Sequence, residues 1–152
     1  MYCRIFLTIV SVFALSIPSN AQTVVIIVNS ENPVLDISSD DLRNIFIADK
    51  TVWEGGNSIQ LVDWKINNTI REQFYAKILQ KSPAVVRRGW VQKIVVGNIY
   101  PPSVLSSEEE IINYVATHRW AIAYVGKKGM PLTVKTITLD GLTADDPTYQ
   151  LK

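Results

Sequence analysis

Three observations predict that this chain folds as an α/β domain. Thr23 to Val28, TVVIIV, is β-branched and apolar at successive positions, which suits a strand covered on both faces. Further strand-length apolar runs lie at 59–64, 121–125 and 134–139. Between them, cap residues precede apolar residues at helical spacing. Strands interleaved with helices in this way build a sheet with helices packed on it. After residue 21 the chain has about 130 residues, enough for one core without covalent staples. No internal repeat, low-complexity run or linker divides it.

The elements follow in order. Asn29-Ser30-Glu31-Asn32-Pro33 ends the first strand as a turn. Ser38 or Ser39 caps a helix with Asp40 and Asp41 in its first turn, and Leu42, Ile45 and Phe46 share one face. Thr51 to Asn57 is a loop with two glycines, and the 59–64 strand follows. Ile70, Phe74 and Ile78 recur at i, i+4, i+8, widened by Tyr75 and Leu79 into the stripe of a helix opening at Thr69. Ser82-Pro83 starts another helix, with Val86, Trp90 and Ile94 inward and Gly97 at its end. Tyr100-Pro101-Pro102 stiffens the next connection. Ser106 or Ser107 caps a helix through Glu108, Glu109 and Glu110, with Ile111, Ile112 and Val115 inward. After Asp140-Gly141 the tail reads as polar and irregular.

Residues 1–21 read as a secretory signal: Met1 to Arg4 basic, Ile5 to Ile17 apolar, and Ser19-Asn20-Ala21 small at the cleavage site. The apolar run is too short to span a membrane comfortably. The expected product is an exported, periplasmic chain from Gln22 to Lys152. Cys3 leaves with the signal, so no disulfide or thiolate chemistry remains, and no cysteine follows the cleavage site to carry a lipid. Of 15 Lys and Arg, Arg4 is also lost, leaving 14 against 14 Asp and Glu. A balanced chain has no global field to steer it to nucleic acid or to an anionic membrane.

Little in the chain offers catalysis. The single histidine, His118, falls at a helix end and reads as a C-terminal cap. No nucleophile motif pairs with it, and metal-ligand spacing is absent, so no metal or organic cofactor is expected. Arg87-Arg88, near Lys81 and Lys93, reads as a solvated helix face. The informative stretch is Ile59 to Tyr75, IQLVDWKINNTIREQFY. It runs from a strand through the loop Lys65-Ile66-Asn67-Asn68-Thr69 into a helix. Thr69-Ile70-Arg71-Glu72 fits a capping box, with Thr69 as the cap. Free amides and the positive dipole end then face beyond the strand, a common way to hold an anion. Arg71 lies at the wrong end of that dipole unless something negative sits nearby. The stretch therefore reads either as an anion site or as an ordinary capped helix with a solvated arginine.

Three stretches in order resemble the phosphate-type solute-binding proteins of ABC importers, within the type II periplasmic binding proteins. Val24 to Phe46, VVIIVNSENPVLDISSDDLRNIF, is similar to the family's strand, Asn-Pro turn and L-x-x-x-L-x-x-I-F helix. Thr51 to Gly55, TVWEG, resembles its T-x-W-x-x-G turn. The Ile59 to Leu79 strand, loop and helix, followed after two helices by Ala121 to Val125, AIAYV, resembles its oxyanion loop and G-x-I-G-Y-V strand. The likeness covers most of the chain from Gln22. It implies a single lobe of that fold, a mixed β-sheet flanked by helices, and an oxyanion held by Lys65, Asn67, Asn68, Thr69 and Arg71. Two departures are visible. Asp63 stands where the family has arginine, with Asn67 and Asn68 in place of Ser-Gly. Trp120 and Ala123 replace the last strand's glycines. The chain also matches only one of the two lobes that such proteins close over their ligand.

The expected function is thus an exported, non-enzymatic solute-binding protein of the phosphate ABC transporter type. Its ligand is a small phosphate-like oxyanion, and its partner an ABC permease or another envelope protein. The alternative is a ligand-free interaction or signalling module on the same fold.

Overall fold

All six residues of Val24–Asn29 (β1) are buried, as are all six of Ala121–Gly126 (β5). Both strands therefore lie inside a sheet covered on each face, as their unbroken apolar runs require. The structure is a computed structural model that describes residues 22–97 and 99–152. The expected secretory signal, residues 1–21, lies outside the described residues.

The other strands are Asp36–Ile37 (β2), Gln60–Trp64 (β3), Ser103–Leu105 (β4) and Val134–Leu139 (β6). Their order across the sheet is β2-β6-β1-β5-β3-β4. The sheet is mixed: β1 runs antiparallel to β5 and β6, whereas β3 is parallel to both β5 and β4. The helices are Ser39–Phe46 (α1), Thr69–Phe74 (α2), Pro83–Gly97 (α3) and Glu108–Thr117 (α4). A π-helical turn, Tyr75–Leu79, continues α2. This is the fold class expected, a mixed sheet flanked by helices. The strands β2 and β4 were not foreseen. At two and three residues they are too short to show a period and exist only as edges paired to β6 and β3.

Caps place the helices. Ser38 caps α1 by accepting from the Asp41 amide, and Ser107 caps α4 in a full capping box with Glu110. The far end of α4 is held from the turn after β1. Asn29, itself buried, donates from Nδ2 to the Val115 and Ala116 carbonyls, and Asn32 donates to the Arg119 carbonyl. The orphan carbonyls of the helix end are thus satisfied by side chains. His118 caps α4 as expected, with its ring stacked on Tyr114 and Nδ1 2.8 Å from the Tyr114 carbonyl oxygen.

Aromatic packing joins the helices to the sheet. Phe74 of α2 stacks on Tyr124 of β5 at 3.9 Å, and Phe46 of α1 closes on both rings. Trp90 of α3 donates its indole N–H to the Phe46 carbonyl at 2.8 Å. The Thr51–Asn57 loop is similarly anchored, because buried Trp53 donates to the Trp120 carbonyl. One expectation is corrected. The tail is irregular but not merely polar: Tyr149 and Leu151 are buried, and the Leu151 carbonyl accepts from the Val24 amide at 2.8 Å. Two apolar residues among polar neighbours form no periodic signal, and the core receives them.

Candidate functional site

Where β3 ends, the chain places a carboxylate inside the protein. Asp63 lies between Val62 and Trp64 and is 6% exposed. Its Oδ1 accepts from the Tyr124 hydroxyl at 2.5 Å and the Trp64 amide at 2.9 Å. Its Oδ2 accepts from the Tyr75 hydroxyl at 2.7 Å and from Arg71 Nε at 3.1 Å. Four donors, one of them a cation, meet the need of a charge withdrawn from water. Tyr75 also accepts from Arg71 Nη2 at 2.8 Å, and the guanidinium lies 4.1 Å from the centre of its ring. The π-helical turn begins at Tyr75, so a locally widened helix delivers this hydroxyl to the carboxylate.

The electrostatics follow from burial. Desolvation, then the Asp63 charge, raises the Tyr75 and Tyr124 hydroxyls above the usual phenol range, so both remain donors. Burial alone would pull Arg71 toward neutrality, but Asp63 and the adjoining phenols outweigh it and hold the cation more firmly than usual. The negative partner that Arg71 needs at the start of a helix is therefore a residue of the same chain.

The loop before α2 differs from the expected capping. Asn68, not Thr69, is the N-cap: its side chain accepts from the Ile70 and Arg71 amides, and its carbonyl from the Glu72 amide. Thr69 is the first helical residue, and the reciprocal bond from Glu72 does not form. Asn precedes Thr here, and its side chain serves the Ile70 and Arg71 amides, so the helix starts one residue earlier. Asn67 turns the chain with a φ of +70°, a conformation asparagine tolerates better than most side chains.

Beside this cluster opens a cleft of about 590 Å³. Asp63, Asn67, Asn68, Arg71 and Glu72 form one wall. The rest of the lining is largely apolar: Trp90, Val91 and Ile94 of α3, with Arg87 the charged residue among them, then Pro101, Pro102 and Val104, the last beside Asp63 in the sheet. The structure thus brings Asn67, Asn68 and Arg71 together at the cleft. Lys65 and Thr69 are exposed and do not line it. On α4, Glu110 titrates below the usual carboxyl range mainly because the Ser106 and Ser107 amides donate to it, with a smaller pull from Lys65. The residues that sequence reasoning passed over are Asp63, Tyr75 and Tyr124. A signal for Asp63 was present, since an acid inside an apolar strand demands a partner. Among the described residues no group of three metal-ligating side chains occurs.

No family model matches the chain, and no curated protein does. Its fold is that of phosphate-binding proteins. An ABC-type phosphate transport receptor from Vibrio cholerae superposes with a TM-score of 0.70 at 19% identity, covering 86% of this chain and 53% of that one. PstS from Borrelia burgdorferi gives 0.68 at 12% identity, with 86% and 54% covered. A phosphate ABC transporter substrate-binding protein with bound phosphate, from Clostridium perfringens, gives 0.65 at 18% identity, with 81% and 47% covered. This chain spans about half the length of these structures.

Proposed function

We propose that this chain is an exported binding module of the phosphate-type solute-binding fold. It takes a small phosphate-like oxyanion where β3 runs into α2, on Asn67, Asn68 and the outward edge of Arg71, with Lys65 and Thr69 of the same loop outside the cleft. One observation carries the reading. Arg71 Nη1 has no hydrogen-bond partner among the described residues, and the arginine lines an open cleft with Asn67 and Asn68. A fixed cation beside asparagine amides, at the start of a helix, is suited to an oxyanion. The fold supports it, since the structures compared above include a phosphate transport receptor and a phosphate ABC transporter substrate-binding protein with bound phosphate. The role is binding without a catalytic step, with delivery to an ABC permease or another envelope protein.

Calorimetric titration with phosphate, and with sulfate at matched ionic strength, tests this. Saturable binding is expected, weakened in an Asn67→Gly variant, which removes an exposed side chain of the cleft and suits the positive φ there. Non-saturating heats, equal in both proteins, would reject oxyanion capture. The second reading, a ligand-free interaction or signalling module, would then stand. It is favoured by the Asp63–Arg71 pair, because a cation already neutralised within the chain needs no ligand.

A further inference from the structure

We propose that the ligand of this cleft is an organic oxyanion with an apolar body. Its head lies on Asn67, Asn68 and Arg71, and its body lies against α3 and Val104. The proposal rests on the oxyanion reading and names the class of molecule.

The charges of the cleft cancel. Asp63 and Glu72 oppose Arg71 and Arg87, and no other charged side chain among the described residues lines it. With Asp63 bonded to Arg71, the polar wall has little field with which to attract a bare, strongly hydrated ion. The rest of the lining has few groups with which to bond one. The indole N–H of Trp90 is engaged by the Phe46 carbonyl and that of Trp64 by the Tyr124 carbonyl. Neither indole therefore offers the cleft a donor. Pro101 and Pro102 have no amide hydrogen, and Val91, Ile94 and Val104 complete an apolar surface. An inorganic oxyanion is surrounded by acceptors and would leave this wall in contact with water. An alkyl or aryl group attached to the same head would cover it. A volume near 590 Å³, with polar groups gathered on one side, is that of a site for a small organic molecule.

Three probes separate head from body: phenylphosphonate, methylphosphonate with the same head, and benzyl alcohol with no anionic head. Each is titrated calorimetrically into the chain from Gln22. Phenylphosphonate should bind at least about tenfold tighter than methylphosphonate, the scale of burying part of a ring. Val91 and Val104 are 54% and 58% exposed, so a Val91→Ser, Val104→Ser variant keeps the fold. It should bring the two phosphonates within about threefold of each other. Equal affinities in the wild type would overturn the proposal and leave oxyanion binding standing. So would a phenyl advantage that survives in the variant, which would seat the body elsewhere. Benzyl alcohol binding as tightly as phenylphosphonate would also overturn it, because the head would then be idle. Absence of saturable binding by phosphate and by both phosphonates would overturn this proposal and the reading beneath it.

Discussion

Arg71 Nε donates to the Asp63 carboxylate at 3.1 Å, across the eight residues that carry the chain out of β3 and into the first turn of α2. The two side chains are 13% and 8% exposed, so this is an interior ion pair and not a surface one. It explains how a cation is tolerated at the positive end of a helix, a place that disfavours it in isolation. It also gives the end of β3 the opposite charge from the arginine that the resemblance leads one to expect there.

Removing one member of such a pair leaves the other buried and uncompensated. Asp63→Asn should lower the unfolding free energy by about 3 kcal/mol or more, read from urea denaturation. Arg71, released from its partner, should then bind phosphate more tightly in the folded fraction. A variant as stable as the wild type would show that the pair contributes nothing net.

The cap assignment has its own test. Asn68→Ala should cost about 1 kcal/mol, because its side chain serves the Ile70 and Arg71 amides. Thr69→Ala should cost less than half of that, since alanine suits a first helical position. Denaturation midpoints of the two variants in the reverse order would return the cap to Thr69.

Alkaline pH should unfold the protein. Burial raises Tyr149 to about 12, and burial with the Asp63 charge lifts Tyr75 and Tyr124 above their ordinary value. The folded state therefore holds these protons more tightly than the unfolded state. The associated stability is fully present below about pH 10 and is lost as pH rises through the folded values. Melting temperature should fall between about pH 10 and pH 12, with tyrosinate absorbance appearing together with unfolding, and Tyr149→Phe should lessen the slope. Tyrosinate that titrates fully before any unfolding would contradict the burial of these hydroxyls.

The carboxyl-terminal tail should prove part of the core. Leu151 is fully buried, and its carbonyl extends the hydrogen bonding of β1. Leu151→Ala should cost about 2–5 kcal/mol, the range for deleting a buried leucine. A loss within a few tenths of a kcal/mol, by thermal or urea denaturation, would make the tail an appendage.

Periodicity and capping made most of the fold legible. The β1, β3, β5 and β6 runs, the serine caps of α1 and α4, and the proline start of α3 all lie where sequence reasoning expected them. These signals are local: a strand shows its faces in successive residues, and a cap serves amides two or three positions away. The edge strands β2 and β4 and the anchored tail were not legible, because each depends on a partner supplied by a distant segment.

The candidate site divides in the same way. The loop from β3 to α2, its asparagines and its misplaced arginine could be named from the sequence, since they are neighbours in the chain. What neutralises Arg71 could not, although Asp63 stands only eight positions away. That pairing requires the Tyr75 hydroxyl delivered by a π-helical turn and the Tyr124 hydroxyl delivered by β5, sixty-one residues from Asp63. The apolar lining arises only when α3 and the 101–102 prolines are brought to the cleft and β4 sets Val104 beside Asp63. A sequence specifies which side chains have charge to satisfy or surface to bury. Which of them satisfy one another is decided by packing, because the free energy of a buried charge depends on every donor that the fold brings within reach.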